Sequence, residues 1–153
     1  MTDARFEDGD EQPLRLLAQD TESLTVLAAL LQDAVFPISE MTYAKSKHRF
    51  ALLLNRFRWE NKSGTKRPER VQSLLVFDTV LAVKTSGIDR DSRDTVLSLL
   101  DVTFAETEQG AGEITLILAG DGAIALSVEA LDASLRDTTR PYYAPSGKTP
   151  THD

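Results

Sequence analysis

Basic side chains are concentrated in one part of this sequence, and their spacing suggests a chemistry. Residues 45–70 contain nine basic and two acidic side chains, whereas the rest of the 153-residue chain has eight basic and 22 acidic ones. Phe50, Phe57 and Trp59 are interleaved with these bases. Cationic grooves with aromatic platforms bind single-stranded nucleic acid through phosphate contacts and base stacking. The segment therefore offers candidate binding residues for nucleic acid or another phosphoanion: Arg56, Arg58, Trp59, Lys62, Lys66 and Arg67.

Strand alternation favours a structural interpretation of the same residues. Arg56 and Arg58 fall on one face of a predicted strand, and Phe57 and Trp59 fall on the other. On this interpretation the arginines occupy a solvated face, the aromatic rings face the core, and the other charges lie in a loop. An acidic partner protein or the chain's own acidic N-terminal tail is a further target for the positive charge.

Other arrangements of reactive residues are sparse. Without cysteine the chain has no disulfide, thiolate nucleophile or cysteine-ligated metal, and its two histidines, His48 and His152, form no metal-binding motif. The three aspartates of segment 89–94 are too few for a calcium loop, and two arginines between them would repel the cation. We therefore assign no catalytic residue, metal or cofactor. An enzyme whose residues converge from distant segments, such as Asp78, Asp89 and Arg56, is kept as an alternative.

The N-terminal part of the chain predicts one helix. Asp20 or Thr21 is suited to be its N-cap, and Leu24, Leu27 and Leu31 follow at spacings of three and four. Pro37 ends the pattern, so the helix is expected over residues 21–35.

A short strand is predicted at 14–18, before the helix. From residue 38 onwards the hydrophobic period is two, which indicates strands at 41–44, 49–59, 71–85 (one bent strand or two meeting near Asp78) and 96–105. Val96, Leu100, Val102 and Phe104 are expected to point inward in the last of these. In the 49–59 strand the apolar face is predicted to change sides near Asn55, either at a bulge or where the strand leaves the edge of the core.

A β-hairpin is predicted over residues 113–129. A three-residue loop at 120–122 would pair Leu118 with Ile124, unite both apolar rows on one face and place Gly122 in a left-handed conformation. The alternative two-residue turn would pair Ile124 with Ala119 and split the rows. After the hairpin, Leu131 and Leu135 fit either a short helix or a strand, and the helix is preferred.

These elements predict an α+β fold. We expect a mainly antiparallel meander of six to eight strands, with one packed N-terminal helix and a short C-terminal helix, and a sheet that is either open or rolled into a pleckstrin-homology-like barrel. The expected domain covers residues 13–137. Residues 1–12 are predicted to be a disordered acidic tail and residues 138–153 a loose tail.

Composition and charge place the chain among ordinary globular proteins. The acidic N-terminus lacks the apolar core of a secretory signal, and no apolar run is long enough to span a bilayer, so a cytoplasmic location without membrane association is expected. An exposed edge strand could pair two copies, which makes a homodimer one option.

At the level of whole segments the sequence resembles the DUF2948 family of alphaproteobacterial proteins of unknown function. The resemblance rests on residues 31–34, 49–60, 77–83, 87–89, 97–100 and 120–124, in matching order. It implies a small cytoplasmic protein and carries over no functional residue. The absence of a catalytic constellation favours a non-enzymatic binding or interaction domain.

Overall fold

The structure is a computed structural model that describes residues 13–58 and 69–138, together with the backbone of residues 142–143. Its one α-helix is α1 (Thr21–Leu30). Its strands are β1 (Arg15–Ala18), β2 (Val35–Pro37), β3 (Met41–Ala44), β4 (Arg49–Phe57), β5 (Glu69–Phe77), β6 (Val80–Ser86), β7 (Val96–Glu106), β8 (Gly112–Leu118), β9 (Ala123–Val128), β10 (Ala133–Asp137) and β11 (Tyr142–Tyr143). Two short 3-10 turns, Ile38–Glu40 and Lys45–Lys47, flank β3.

The strands form one antiparallel sheet, which confirms the predicted α+β class. Neighbouring strands follow the order β1, β10, β5, β4, β2, β7, β8, β9, β6, with β3 added to β4 and β11 to β5. Eleven strands are therefore present in the described part of the chain, more than the six to eight expected. The order is not a simple meander, because β1 pairs with β10 and β6 pairs with β9. The path ends at β1 and β6, so the sheet is not closed into a barrel.

The apolar run at residues 71–85 is two strands, β5 and β6, which belong to different parts of the sheet. Thr79 adopts a left-handed conformation between them, with φ of 58°. Its hydroxyl donates to the carbonyl of Ala130 at 3.0 Å and accepts from the amide of the same residue at 3.2 Å. The turn therefore connects β5, which pairs with β4, to β6, which pairs with β9.

Helix α1 begins as predicted and ends earlier than predicted. Asp20 is its N-cap, and its side chain accepts a hydrogen bond from the Ser23 amide at 2.8 Å. The helix stops at Leu30 rather than near residue 35, and Asp33 then takes a φ of 67°. The following segment is extended as β2, because Pro37 disfavours helical dihedrals in the residue before it.

Strand β4 keeps one face towards the core along its whole length. Phe50, Leu52, Leu54 and Arg56 are all buried, and the register with β5 is uninterrupted from Phe50 to Phe57. A bulge at Asn55, one of the two predicted alternatives, is therefore wrong.

Irregularities occur instead in β6, between Val80 and Ala82, and in β7, between Leu99 and Asp101. The second reverses the expected facing of β7 only in the first part of the strand, and Val102 lies on the buried side as predicted. Leu99 and Val102 are buried and Val96 is exposed.

The β8–β9 hairpin has the predicted facing and a different loop position. Both apolar rows are buried on one face, as expected. Leu116, however, is the residue opposite Ile124, and the left-handed residues are Gly120 and Asp121 rather than Gly122. The pairing therefore differs by two residues from the expected one, and a shift of two leaves every side chain on the same face.

Residues 133–137 form strand β10, so the predicted short C-terminal helix is wrong. Leu131, Ala133 and Leu135 are buried with a period of two, and β10 lies between β1 and β5. A spacing of four between two leucines fits both structures, and insertion between two strands selects the extended one.

The predicted tails lie outside the described residues, apart from Thr138 and the backbone of β11. Within the described residues, no helix has the length and apolar character needed to cross a bilayer.

Candidate functional site

Arg56, the first of the predicted ligand-binding residues, is completely buried between strands. Its guanidinium contacts the Asp137 carboxylate on β10 with both oxygens within 3.1 Å, and Asp137 is itself 2% exposed at its side chain. Ser73 on β5 accepts a hydrogen bond from Arg56 Nε and donates one to Asp137. The second oxygen of Asp137 also accepts from the amide of Leu14 at 2.8 Å. This network joins β4, β5, β10 and the residue before β1.

Arg58 and its neighbours are also engaged within the protein. Arg58 is buried and pairs with Glu69 at 2.8 Å, while the guanidinium of Arg70 lies 3.9 Å from the centre of the Phe57 ring. The prediction that Arg56 and Arg58 occupy a solvated face is wrong. Phe57 is buried as expected, and at this end of β4 both faces of the strand are covered.

The remaining positive charge of residues 45–70 is dispersed in the described part of the chain. Lys45, Lys47 and His48 are exposed in and after a 3-10 turn. Arg49 donates to Asp78 at 2.8 Å, and this hydrogen bond, reinforced by the carboxylate charge, raises the pKa of the arginine above its ordinary value.

Four other members of the predicted anion site, Trp59, Lys62, Lys66 and Arg67, lie outside the described residues. Anion binding by this segment stays a prediction.

The carboxylates considered for catalysis or metal binding do not converge. Asp78 pairs with Arg49, Asp89 accepts from the Asp91 amide and the Ser92 hydroxyl, and Arg56 is held by Asp137. Arg56 is six positions along β4 from Phe50, a span of about 20 Å, and Phe50 is the partner of Phe77, the residue before Asp78. Across the described residues there is no group of three or more histidine, aspartate or glutamate side chains that could hold a metal ion.

A groove of about 520 Å³, called here the helix–strand groove, lies between α1 and β7. One wall is formed by residues 100–104 of β7. The other wall is formed by residues on or just after α1: Thr21, Leu24, Thr25, Ala28, Ala29 and Gln32.

The groove exists because, among the described residues, β7 has a strand on only one side over this stretch. Pairing with β8 continues from Leu99 to Glu106, whereas pairing with β2 covers only Val96–Ser98. Leu99 is bonded through its amide and carbonyl to the Asp33–Ala34 segment. Beyond Leu99, no strand among the described residues pairs with this edge of β7.

The amide of Val102 shows which way the open edge presents its hydrogen-bonding groups. It donates to the side chain of Asp101, the preceding residue, at 2.8 Å. Alternate residues of an antiparallel strand present their backbone groups to the same side, so the groups of Phe104 also face the groove.

Sequence reasoning did not find the helix–strand groove. The groove depends on how far β2 extends along β7. The turn at Asp33 ends α1 early and leaves β2 only three residues long. The row of buried residues in β7 is interrupted at Leu100, where the register shifts between Leu99 and Asp101. A strict two-residue period does not predict this shift.

Comparison with known proteins identifies a family. No curated protein and no solved structure matches the chain. A family model described as "Protein of unknown function (DUF2948)" matches residues 14–152, which include every strand and the helix from β1 to β11. This match confirms the resemblance seen in the sequence: the chain belongs to the DUF2948 family.

Proposed function

We propose that the protein is a non-enzymatic interaction domain that binds an extended peptide segment of a partner protein in the helix–strand groove. The observation that carries the proposal is the open edge of β7 facing α1 across a groove of about 520 Å³. An extended peptide can add to such an edge through main-chain hydrogen bonds, while alternate side chains are recognised by the groove walls.

The dimensions of the groove suit a short strand. Residues 100–104 of β7 correspond to about 15 Å of extended chain, enough to pair with a segment of about five residues. The facing side chains of Thr25 and Ala29 are short and exposed, so the helix leaves room beside the edge.

The lining also indicates which partner chemistry the groove favours. Thr21, Thr25, Gln32 and Thr103 provide polar groups, and Asp101 provides the only charge among the lining residues. An extended segment with small polar side chains and one lysine or arginine near Asp101 would complement this surface.

Binding is favoured over catalysis by the same lining. It contains no histidine, lysine or arginine, and its single carboxylate already accepts a hydrogen bond from Val102. A general acid–base pair would need a second titratable side chain in reach of the first.

Selection of random heptapeptides on the immobilised full-length protein tests the proposal. We expect selected peptides rich in lysine or arginine at one position, and we expect Ala29→Trp, which fills the groove, to weaken their binding at least tenfold in fluorescence anisotropy. Val26→Trp places the same side chain at an exposed helix position outside the groove and should change affinity less than about twofold.

Hydrogen exchange provides an independent measurement. A bound strand should slow exchange at Phe104 more than at residues of β1. If no selected peptide is sensitive to Ala29→Trp, or if protection upon binding maps away from β7, the proposal is wrong.

A further inference from the structure

A second concave site lies between the outer edges of β3 and β6. β3 pairs only with β4 and β6 only with β9 in the described part of the chain, so each has an edge without a strand partner. The two strands are linked at one end, where the Tyr43 hydroxyl donates to the Val80 carbonyl at 2.9 Å and the Val80 amide donates to the His48 carbonyl at 2.8 Å. Beside this link is a pocket of about 250 Å³, called here the β3–β6 pocket.

The interior of the β3–β6 pocket is largely apolar. Phe50 and Ile38 are buried at its base, and Met41 and Val83 contribute from opposite strands. Tyr43 is held by its hydroxyl, so its ring is a fixed part of the lining. A volume of about 250 Å³ is slightly below the range typical of drug-sized ligands and suits a body of one ring or a short branched chain.

Two arginines complete the lining. Arg90 and Arg93 are exposed, and neither forms an ion pair or side-chain hydrogen bond with another described residue. This distinguishes them from Arg49, Arg56 and Arg58, each of which is paired with a carboxylate.

The segment carrying these arginines is anchored to the pocket wall. The carbonyl of Arg93 accepts from the Ser39 amide at 3.1 Å, and the carbonyl of Thr95 accepts from the Ile38 amide at 3.0 Å. The Asp89 carboxylate is used within the turn, where it accepts from Asp91 and Ser92. Asp91 and Asp94 also neighbour these arginines in sequence, but among the described residues no ion pair joins either of them to Arg90 or Arg93. Both guanidinium groups therefore remain available to a ligand.

From this geometry we infer that the β3–β6 pocket binds a small amphipathic anion: a carboxylate or phosphate group on a one-ring or short branched apolar body. The apolar part enters between Phe50, Tyr43 and Val83, where its burial contributes the hydrophobic term. The anionic group remains at the solvent side with Arg90 and Arg93, because guanidinium groups bind carboxylate and phosphate oxygens with directional hydrogen bonds. The site is separate from the helix–strand groove and stands independently of the proposed peptide binding.

Titration of the full chain with matched probes, followed by amide chemical shifts, tests the inference. Benzoate and phenyl phosphate should shift the resonances of Thr85, Arg90 and Arg93 with a Kd of about 1 mM or tighter. Benzyl alcohol, which has the ring without the charge, should bind at least tenfold more weakly, and so should inorganic phosphate, which has the charge without the ring.

Variants of exposed residues keep the test free of folding defects. Arg90→Gln combined with Arg93→Gln should weaken phenyl phosphate binding at least tenfold, whereas Arg136→Gln, which removes an exposed charge on β10, should leave it within about twofold. Equal binding of benzyl alcohol, equal binding of inorganic phosphate, or an unchanged affinity in the double variant would each overturn the inference. Ala29→Trp should not affect these probes, so the two sites can fail separately.

Discussion

Arg56 and Asp137 are 81 residues apart in the chain, and their side chains form a bidentate ion pair with N–O distances of 3.0 and 3.1 Å inside the sheet. Both side chains are shielded from water, and their remaining hydrogen-bonding groups are engaged by Ser73, Leu14 and the Phe57 carbonyl. One member of the basic segment that suggests a ligand site in the sequence thus helps to join three strands and the residue before β1.

Removal of one partner should be more damaging than removal of both. Arg56→Met leaves the Asp137 carboxylate buried without its cation, and we expect the free energy of unfolding to fall by about 3–5 kcal/mol in urea denaturation. The double variant Arg56→Met/Asp137→Leu should be less destabilised than the sum of the single variants, because it leaves no isolated charge. Additive effects in this cycle would contradict the interpretation.

The N-cap of α1 should make part of the protein's stability dependent on pH. The backbone hydrogen bond from Ser23 lowers the pKa of Asp20 below its ordinary value of 3.8. The unfolded state therefore takes up the proton first as the pH falls, so the contribution of the ionised cap is complete above the unfolded pKa and is lost as the pH falls through the folded pKa. Asp20→Ala should be less stable than the wild type at pH 7, and the difference should narrow below about pH 4.

Asp20→Ser is the matched control for that experiment, since serine caps a helix without titrating in this range. Its difference from Asp20→Ala should persist at acidic pH in thermal unfolding experiments. A wild-type advantage over Asp20→Ala that stays constant down to pH 2.5 would show that the ionised carboxylate is not the stabilising group.

The β7–β8 hairpin should tolerate no side chain at Gly112. A Cβ at this position would lie 2.2 Å from the Ala105 carbonyl oxygen and 2.9 Å from the Glu106 Cα, both of which are backbone atoms. Gly112→Ala should therefore lower the free energy of unfolding by about 2 kcal/mol or more. Gly122→Ala is the control, because its Cβ would have no neighbour closer than 3.4 Å; equal effects of the two substitutions would refute the steric explanation.

Thr79 combines a strained backbone with two hydrogen bonds to Ala130. Thr79→Val keeps the β-branched strain at positive φ and removes both hydrogen bonds, so we expect a loss of about 1–2 kcal/mol. Thr79→Gly also removes the hydrogen bonds but relieves the left-handed strain, and should therefore be less destabilising. A more stable Val variant than Gly variant in chemical denaturation would show that the strain is unimportant.

Features that depend on neighbouring residues could be predicted from the sequence. The N-cap at Asp20, the strand from Met41 to Ala44 and the single buried face of the β8–β9 hairpin follow from local capping chemistry and periodicity. The periodicity of residues 71–85 predicts either one bent strand or two strands, and the structure shows two.

Features that depend on distant partners could not be predicted in the same way. Arginine in a strand is ordinarily solvated. The residues near Arg56 in the sequence do not indicate that its side chain pairs with Asp137, so its burial could not be predicted. The spacing of Leu131 and Leu135 fits a helix or a strand until β1 and β5 are known to flank them. The helix–strand groove depends on where β2 ends beside β7, and the β3–β6 pocket depends on two strands that are far apart along the sheet path.

The pairing of β1 with β10 brings the two ends of the described domain together. The Leu14 amide bonds the Asp137 side chain, and the Asp137 amide bonds the Leu14 carbonyl at 3.0 Å. During synthesis, β1 therefore has to wait for almost the whole domain to leave the ribosome before its partner exists. The same proximity favours circular permutation: a short linker between Leu14 and Asp137, with new termini in the exposed turn after Gly87, should preserve β1 to β10 of the sheet and would omit β11.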